Sequence, residues 1–224
     1  MEPTPPTPAP QEAVARVRCW QCGTTNVPSL FCLTCDAIQA LAAQTDYFRI
    51  LGIERRLDLD LDHLQRRYFD LSRRLHPDVH LRGPAQARIA SLGNTAMLNR
   101  AYRTLRDPVE RGIYWLGLHG ETLGGKNHRV PPDLAALVFE VQEKLEVLRQ
   151  QDGAASALRD EIRRIRATLE DQRQAHLAAL ARNFARWDTR AADTAALTQE
   201  LKAALSAIKY LRTLMRDVDK ELER

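Results

Sequence analysis

The sequence predicts an all-α protein: a helical hairpin, then an antiparallel three-helix bundle, with a small tetracysteine module in front. Three observations carry that prediction. The four cysteines all fall between Cys19 and Cys35, as two Cys-x-x-Cys pairs. Between 61 and 105, apolar residues recur at spacings of three and four behind a basic face. From 133 to 222 they recur in the same way along three long runs with short breaks, and amphipathic helices with short connections pack antiparallel.

A chain of 224 residues is comfortable for two domains, and at 44% apolar and 28% charged it can bury their cores. Its longest apolar runs are too short to span a membrane. The net charge of +4 raises the question of nucleic acid. Basic and acidic residues are interleaved along most of the chain, however, so neither nucleic acid nor a membrane is the expected partner. The first ten residues hold five of the eleven prolines, and 1–15 is expected to be a flexible tail with polyproline character. Neither a signal peptide's apolar centre nor an Arg-rich amphipathic leader is visible there. Clustered cysteines without a secretory signal point to a reducing compartment. The bacterial cytoplasm is the first expectation and a mitochondrial matrix the alternative.

The tetracysteine module is assigned to 16–43. Cys19 and Cys22 form one pair and Cys32 and Cys35 the other. Each pair can place two thiolates on one ion, and two pairs complete a closed tetrahedral site. Structural Zn2+ is the expected ion, ahead of an iron centre or a redox dithiol. A four-thiolate site has no open position for water, which argues against metal catalysis. Gly23 permits the tight turn after the first pair, and Trp20 and Phe31 are expected beside the metal. So short a module has little apolar material for a core, so metal binding should supply most of its folding free energy. Ile38–Ala43 leaves little room for a flexible tether, which suggests packing against the next domain.

In the following helix, Leu61, Leu64, Tyr68, Leu71 and Leu75 share one stripe. Arg66 and Arg73 fall on the opposite side, flanked by Arg67 and Arg74. Pro77 ends the helix, because the residue before a proline is pushed out of the α region. The next helical run carries Leu98, Ala101, Tyr102 and Leu105 and stops at Asp107-Pro108. The opening Asp46-Tyr47-Phe48-Arg49-Ile50-Leu51-Gly52-Ile53, the basic helix and the His76-Pro77-Asp78 loop together resemble a J-domain, assigned to 44–120. The resemblance implies docking onto a DnaK-class (heat shock 70) chaperone, HscA-like or DnaK, and stimulation of its ATPase. It gives His76, Pro77 and Asp78 the essential loop and Arg66, Arg67, Arg73 and Arg74 the basic docking face. Guanidinium groups on a rigid helix suit an acidic partner surface. The apolar stretch 111–118 is expected to cover the hairpin, and Gly120, Gly124, Gly125, Pro131 and Pro132 to mark the domain boundary.

The bundle is assigned to 130–224. Its first run has an inner stripe of Leu134, Leu137, Val138, Val141, Leu145 and Leu148. Its second, over 156–187, has Leu158, Ile162, Ile165, Leu169, Leu180, Phe184 and Trp187, with His176 read as a packed histidine and not a ligand. Its third, over 192–222, has Leu197, Leu201, Ala204, Ile208, Leu211, Met215, Val218 and Leu222. Off the core stripe stand Ala136, Phe139, Glu140, Glu143 and Val147 on the first helix, and Tyr210 and Leu214 on the third. An apolar and acidic outer band suggests a partner site. The layout of cysteine pairs, J-domain and bundle resembles the HscB-type co-chaperones of iron–sulfur cluster biogenesis. That resemblance implies a non-enzymatic protein whose bundle holds the iron–sulfur cluster scaffold protein through Ala135, Ala136, Phe139, Glu140, Glu143 and Tyr210. Ala135 and Ala136 stand where the family has larger apolar side chains, and Val147 replaces an acidic residue. Anchors truncated by that much cost about 1–2 kcal/mol each, so scaffold affinity is expected to be weaker.

Three rivals remain at this stage. A general J-protein would bind many extended apolar peptides. A thiol–disulfide oxidoreductase would need a reactive low-pKa thiol and turnover. A zinc-ribbon nucleic-acid binder would show salt-dependent binding.

Overall fold

The computed structural model describes residues 16–123, 134–150, 156–189 and 193–223. The expected proline-rich tail and the boundary residues Gly124, Gly125, Pro131 and Pro132 lie outside these. The chain forms two compact units, residues up to 55 with 60–103, and 56–59 with 104 onward.

The first unit opens with the tetracysteine module. Strands β1 (Val17–Arg18) and β2 (Thr25–Asn26) pair antiparallel, Val17 against Asn26, too short for any sequence period to have shown them. Each Cys-x-x-Cys turn closes on a residue with positive φ. Gly23 at +75° follows the first pair, as expected, and Asp36 at +57° follows the second. The Gly23 amide donates to Cys19 O and that of Asp36 to Cys32 O, at 3.0 and 2.9 Å. Asparagine and aspartate tolerate this region better than most residues, so two differently spelled sequences make the same knuckle.

Helix α1 (Tyr47–Leu51) starts at Asp46, whose side chain accepts from the Phe48 amide, and ends on Gly52 in the left-handed region. Helix α2 (Leu61–Leu75) starts at Asp60, which accepts from the amides of Asp62 and His63. It buries Leu64, Leu71 and Leu75 and half-buries Tyr68. Leu61, expected on that stripe, is 46% exposed, because the first turn overhangs the packed face. His76 (φ −56°, ψ 132°) is the C-cap of α2 and the N-cap of a short helix α3 (Pro77–His80). Pro77 therefore both stops one helix and begins the next, where its missing N–H costs nothing. Helix α4 (Ala85–Arg106) returns antiparallel to α2, and its part up to Arg103 lies in this unit. Tyr68 stacks on Tyr102 with ring centroids 4.1 Å apart, and its hydroxyl donates to Asn99 Oδ1 at 2.9 Å. Ser91 and Thr95 donate to Leu75 O, satisfying a carbonyl the helix end would otherwise orphan.

The module packs on this hairpin, as the short connection suggested. Buried Asn94 accepts from the Leu41 amide and donates to Gln39 O, at 3.2 and 2.7 Å. Arg74 reaches both carboxylate oxygens of Asp36 and lies 3.8 Å over the Phe31 ring.

The second unit contains α5 (Pro108–Leu118), α6 (Ala135–Gln150), α7 (Ser156–Asp188) and α8 (Thr194–Leu222). Helix α5, which the sequence placed over the hairpin, belongs to this unit and packs against α7 and α8. Its Gly112 is the contact point. A Cβ there would stand 3.1 Å from Leu205 Cδ2 and 3.5 Å from Phe184 Cε1. Asp188, at the end of α7, accepts from the amides of Leu57 and Asp58, which fixes the buried Leu57 in this unit.

Helices α6 to α8 form the expected antiparallel bundle. Arg166 pairs with Asp219 at one end of α7 and α8, and Arg186 with Glu200 at the other, so the two run in opposite directions. The core joins Leu134, Val138, Val141 and Leu145 of the α6 segment to Ile162, Ile165 and Leu169 of α7 and Leu211, Met215 and Val218 of α8. One assignment is corrected: Leu214, expected off the core stripe, is buried in this cluster. Helix α8 touches α5, α6 and α7, so its apolar face is wider than a single stripe. His176 is half-buried. No helix among the described residues is long and apolar enough to cross a membrane.

Candidate functional site

Three groups of residues were singled out by the sequence, and each sits on a different kind of scaffold. The first is the loop after α2. His76 Nδ1 accepts from the Asp78 amide at 3.3 Å, and the Val79 amide donates back to His76 O at 3.0 Å. His80 Nε2 lies 2.9 Å from Arg74 O. These bonds hold the loop in one conformation, while the side chains of His76 and Asp78 remain exposed. Two of the bonds are to backbone atoms, so the shape depends little on the exposed His76–Asp78 pair, a kind of contact worth little by itself.

The four arginines of α2 divide into two pairs. Arg66 and Arg73 face solvent, and with Phe69 and Asp70 they line a shallow cavity of about 400 Å³. Arg67 donates from Nε to Leu51 O at 3.2 Å, and Arg74 is held by Asp36 and Phe31. Two of the four thus stay on the outer face, Arg73 paired there with Asp70 at 2.5 Å, and two turn towards α1 and the tetracysteine module. Asp36 as the partner of Arg74 had no signal in the sequence.

The second group is the cysteine cluster. All four Sγ atoms lie within 4.8 Å of one another. Cys19 meets Cys35 and Cys22 meets Cys32, each at 3.7 Å. A disulfide would need about 2.05 Å. A tetrahedron of thiolates around zinc, with Zn–S near 2.3 Å, has edges of about 3.8 Å. The sulfurs are also supplied with donors. Cys19 receives the Gln21 amide and Gln39 Nε2, and Cys32 receives the Thr34 amide and Asn26 Nδ2. Such donors stabilise thiolates and orient them.

The electrostatics agree. Hydrogen bonding to Thr24, side chain then backbone, brings the Cys22 thiol down to about 6. The amides of Cys35 and Thr34 lower Cys32. At Cys35 the Ala37 amide pulls downward, but burial and the three neighbouring sulfurs together push the thiol up to about 12. Four sulfurs this close cannot all ionise without a cation among them. The donor set thus fits one metal ion held by Cys19, Cys22, Cys32 and Cys35. Trp20, expected beside the metal, pins the second turn by donating to Ile38 O at 2.6 Å.

The third group lies on the bundle. Ala135, Ala136, Phe139, Glu140 and Glu143 are all exposed along α6, and Phe139 stands 74% exposed. Lys144, on the edge of that band, pairs with Glu161 of α7 at 2.6 Å and more loosely with Glu140 at 4.0 Å, and Glu143 is the band's other acid. Tyr210 of α8 is half-buried against the bundle core, and desolvation, then Asp217, raises its hydroxyl pKa.

Comparison with known proteins gives these groups a common context. Residues 46–114 match the DnaJ domain family. The human protein named iron-sulfur cluster co-chaperone protein HscB is 33% identical over 133 residues, which cover 57% of this chain and 57% of that protein. The matched stretch thus spans little more than half of the relative's length. The crystal structure of human co-chaperone protein HscB superposes with a TM-score of 0.69 at 24% identity, over 91% of this chain and 98% of that one. Chaperone HscB from Vibrio cholerae gives a TM-score of 0.57 at 22% identity, over 79% and 96%. Those two likenesses show the fold. The chain thus carries a DnaJ domain over 46–114 with a four-cysteine cluster in front of it, and is similar to the human HscB co-chaperone over the matched stretch.

Proposed function

We propose that this protein captures an iron–sulfur cluster scaffold protein on its bundle and presents it to a DnaK-class chaperone, whose ATPase its J-domain stimulates. The observation that carries the reading is the His76-Pro77-Asp78 loop, backbone-fixed yet exposed, at the end of a helix whose outer face carries Arg66 and Arg73. Linking the two binding faces in one chain raises the effective concentration of the scaffold at the chaperone. Zinc is the ion assigned to Cys19, Cys22, Cys32 and Cys35, because a closed four-thiolate site suits a structural ion. Thiols at non-bonded separations fit a reducing compartment, and the bacterial cytoplasm is the assignment.

On the bundle, Ala135, Ala136, Phe139, Glu140, Glu143 and Tyr210 form the scaffold-binding face. Phe139 is its anchor, since nothing in the fold accounts for an aromatic ring left so open. Replacing Phe139 by Ala removes a surface ring and no core contact, so the fold is unaffected. It should weaken scaffold binding by about 2 kcal/mol, roughly thirtyfold in Kd, in titration calorimetry. Truncating Tyr210 is a poorer test, because that ring also packs on the core. An unchanged Kd for Phe139→Ala would remove α6 from the binding face.

A further inference from the structure

We propose that the tetracysteine module restrains the J-domain's docking face: folded on its ion, it holds Arg74 between a carboxylate and an aromatic ring, and loss of the ion releases that charge to the chaperone. The proposal rests on the co-chaperone reading above and names a regulation of the same face. The J-domain resemblance gives α2 four docking arginines, yet one of them is already occupied within the chain. Arg74 Nη2 donates to both carboxylate oxygens of Asp36, at 2.8 and 3.0 Å. The same guanidinium lies 3.8 Å over the centre of the Phe31 ring. An exposed ion pair by itself contributes little. A ring face under the cation adds to it, and both sides are carried on structure that is already ordered, a helix and a closed turn.

Both arms of this clasp belong to the second Cys-x-x-Cys turn. Phe31 immediately precedes Cys32, and Asp36 immediately follows Cys35. Asp36 stands at φ +57° with its amide on Cys32 O. The Cys32 amide donates to Ala37 O at 2.8 Å, and Phe31 bridges to Ile38. The turn that gathers the sulfurs therefore also aims Asp36 and Phe31 at α2. So small a module cannot keep that shape without an ion, so occupancy of the site and capture of Arg74 rise and fall together. Four thiolates around a divalent ion leave a net negative charge, next in sequence to Asp36, so the loaded module also lowers the positive potential of the face. Arg74 can change partner easily. Its main chain is fixed in α2, and its carbonyl lies 2.9 Å from His80 Nε2. Its side chain is 49% exposed and that of Asp36 77%. Only side-chain torsions must change for the guanidinium to leave, and it stands two residues before His76, within the face assigned to the chaperone.

The test is a double-mutant cycle on the full-length, metal-loaded protein, with the DnaK-class chaperone of the same organism in its ATP state. Asp36→Asn removes the carboxylate charge and keeps a side chain that tolerates positive φ, so the turn stays closed. It should lower the Kd for the chaperone about threefold, the scale of an exposed ion pair, and steepen its dependence on salt. Arg74→Ala should weaken binding about threefold more in the Asp36→Asn background than in the parent, because only there is the guanidinium released. The gain from Asp36→Asn therefore vanishes in the double variant, whereas a mere change in net charge would persist. Metal content and far-UV helicity equal to the parent's establish that the variants are loaded and folded. Chelator-stripped parent should also bind more tightly than the loaded protein, and Asp36→Asn should add nothing to it. A parental Kd in Asp36→Asn, a gain that survives Arg74→Ala, or no tightening on removal of the ion would each overturn the restraint. If Asp78→Asn still abolishes ATPase stimulation, the co-chaperone reading stands without it. A parent that stimulates no chaperone would overturn both.

Discussion

Asp78→Asn is expected to abolish the proposed stimulation of the chaperone's ATPase and to leave scaffold binding at its parental value. The substitution keeps the side chain's size and the amide that donates to His76 Nδ1, so the loop keeps its shape. What is lost is a carboxylate on an exposed, preorganised loop. Its side chain makes one weak contact within the chain, 3.5 Å from His76 Nδ1. Its charge is therefore available to a partner. Truncating one member of a desolvated charge pair costs about 2–5 kcal/mol, or roughly thirtyfold and more in the affinity of the productive complex. Single-turnover ATP hydrolysis should fall to the chaperone's basal rate. Titration calorimetry with the scaffold should give the parental Kd, because the bundle contributes none of the loop's bonds. Parental stimulation by the variant would remove the loop from the mechanism.

Stripping the proposed metal with a chelator should unfold residues 16–43 and spare the helices. The module buries Cys19, Leu30, Cys32 and Ile38 and little other apolar surface, far short of what an autonomous core needs. Structural zinc in modules of this size supplies about 10–16 kcal/mol of binding free energy near neutral pH. The hairpin of α2 and α4 keeps its own core of Phe48, Leu51, Leu64, Leu75 and Leu98. Hydrogen exchange should therefore show the amides of Cys19, Cys32 and Asp36 losing protection while those of α2 and α4 keep it. Far-UV helicity should change little. Protons compete with the ion for the sulfurs, so lowering the pH should release the metal, and the pH of release should rise as free metal falls. One metal per chain, bound and released without any change in amide protection, would contradict a folding role for the ion.

The helices were legible because leucine, isoleucine and valine recur at helical spacing, and the cysteine spacing announced one tetrahedral site. Periodicity tells which face of a helix is buried and not what covers it. Nothing in the spacing of 111–118 shows that Gly112 admits Leu205 of α8. The same limit is why Leu214 was read as standing off the core, since a helix packed on three neighbours buries more than one stripe. The division of the α2 arginines was illegible for a different reason. Arg74 finds Asp36 across 38 residues of sequence, and nothing local marks a long-range pair. Phe139 was the opposite case. An aromatic residue off the inner stripe of an amphipathic helix is visible in sequence, and it stands open in the fold.

The central claim is that one chain joins a scaffold to a chaperone. Its most direct test is ATP turnover by the organism's DnaK-class chaperones with this protein, measured with and without the iron–sulfur scaffold. Strong stimulation is expected when both proteins are present, well beyond that given by either alone, with one chaperone preferred. Stimulation by this protein that is indifferent to the scaffold would contradict it.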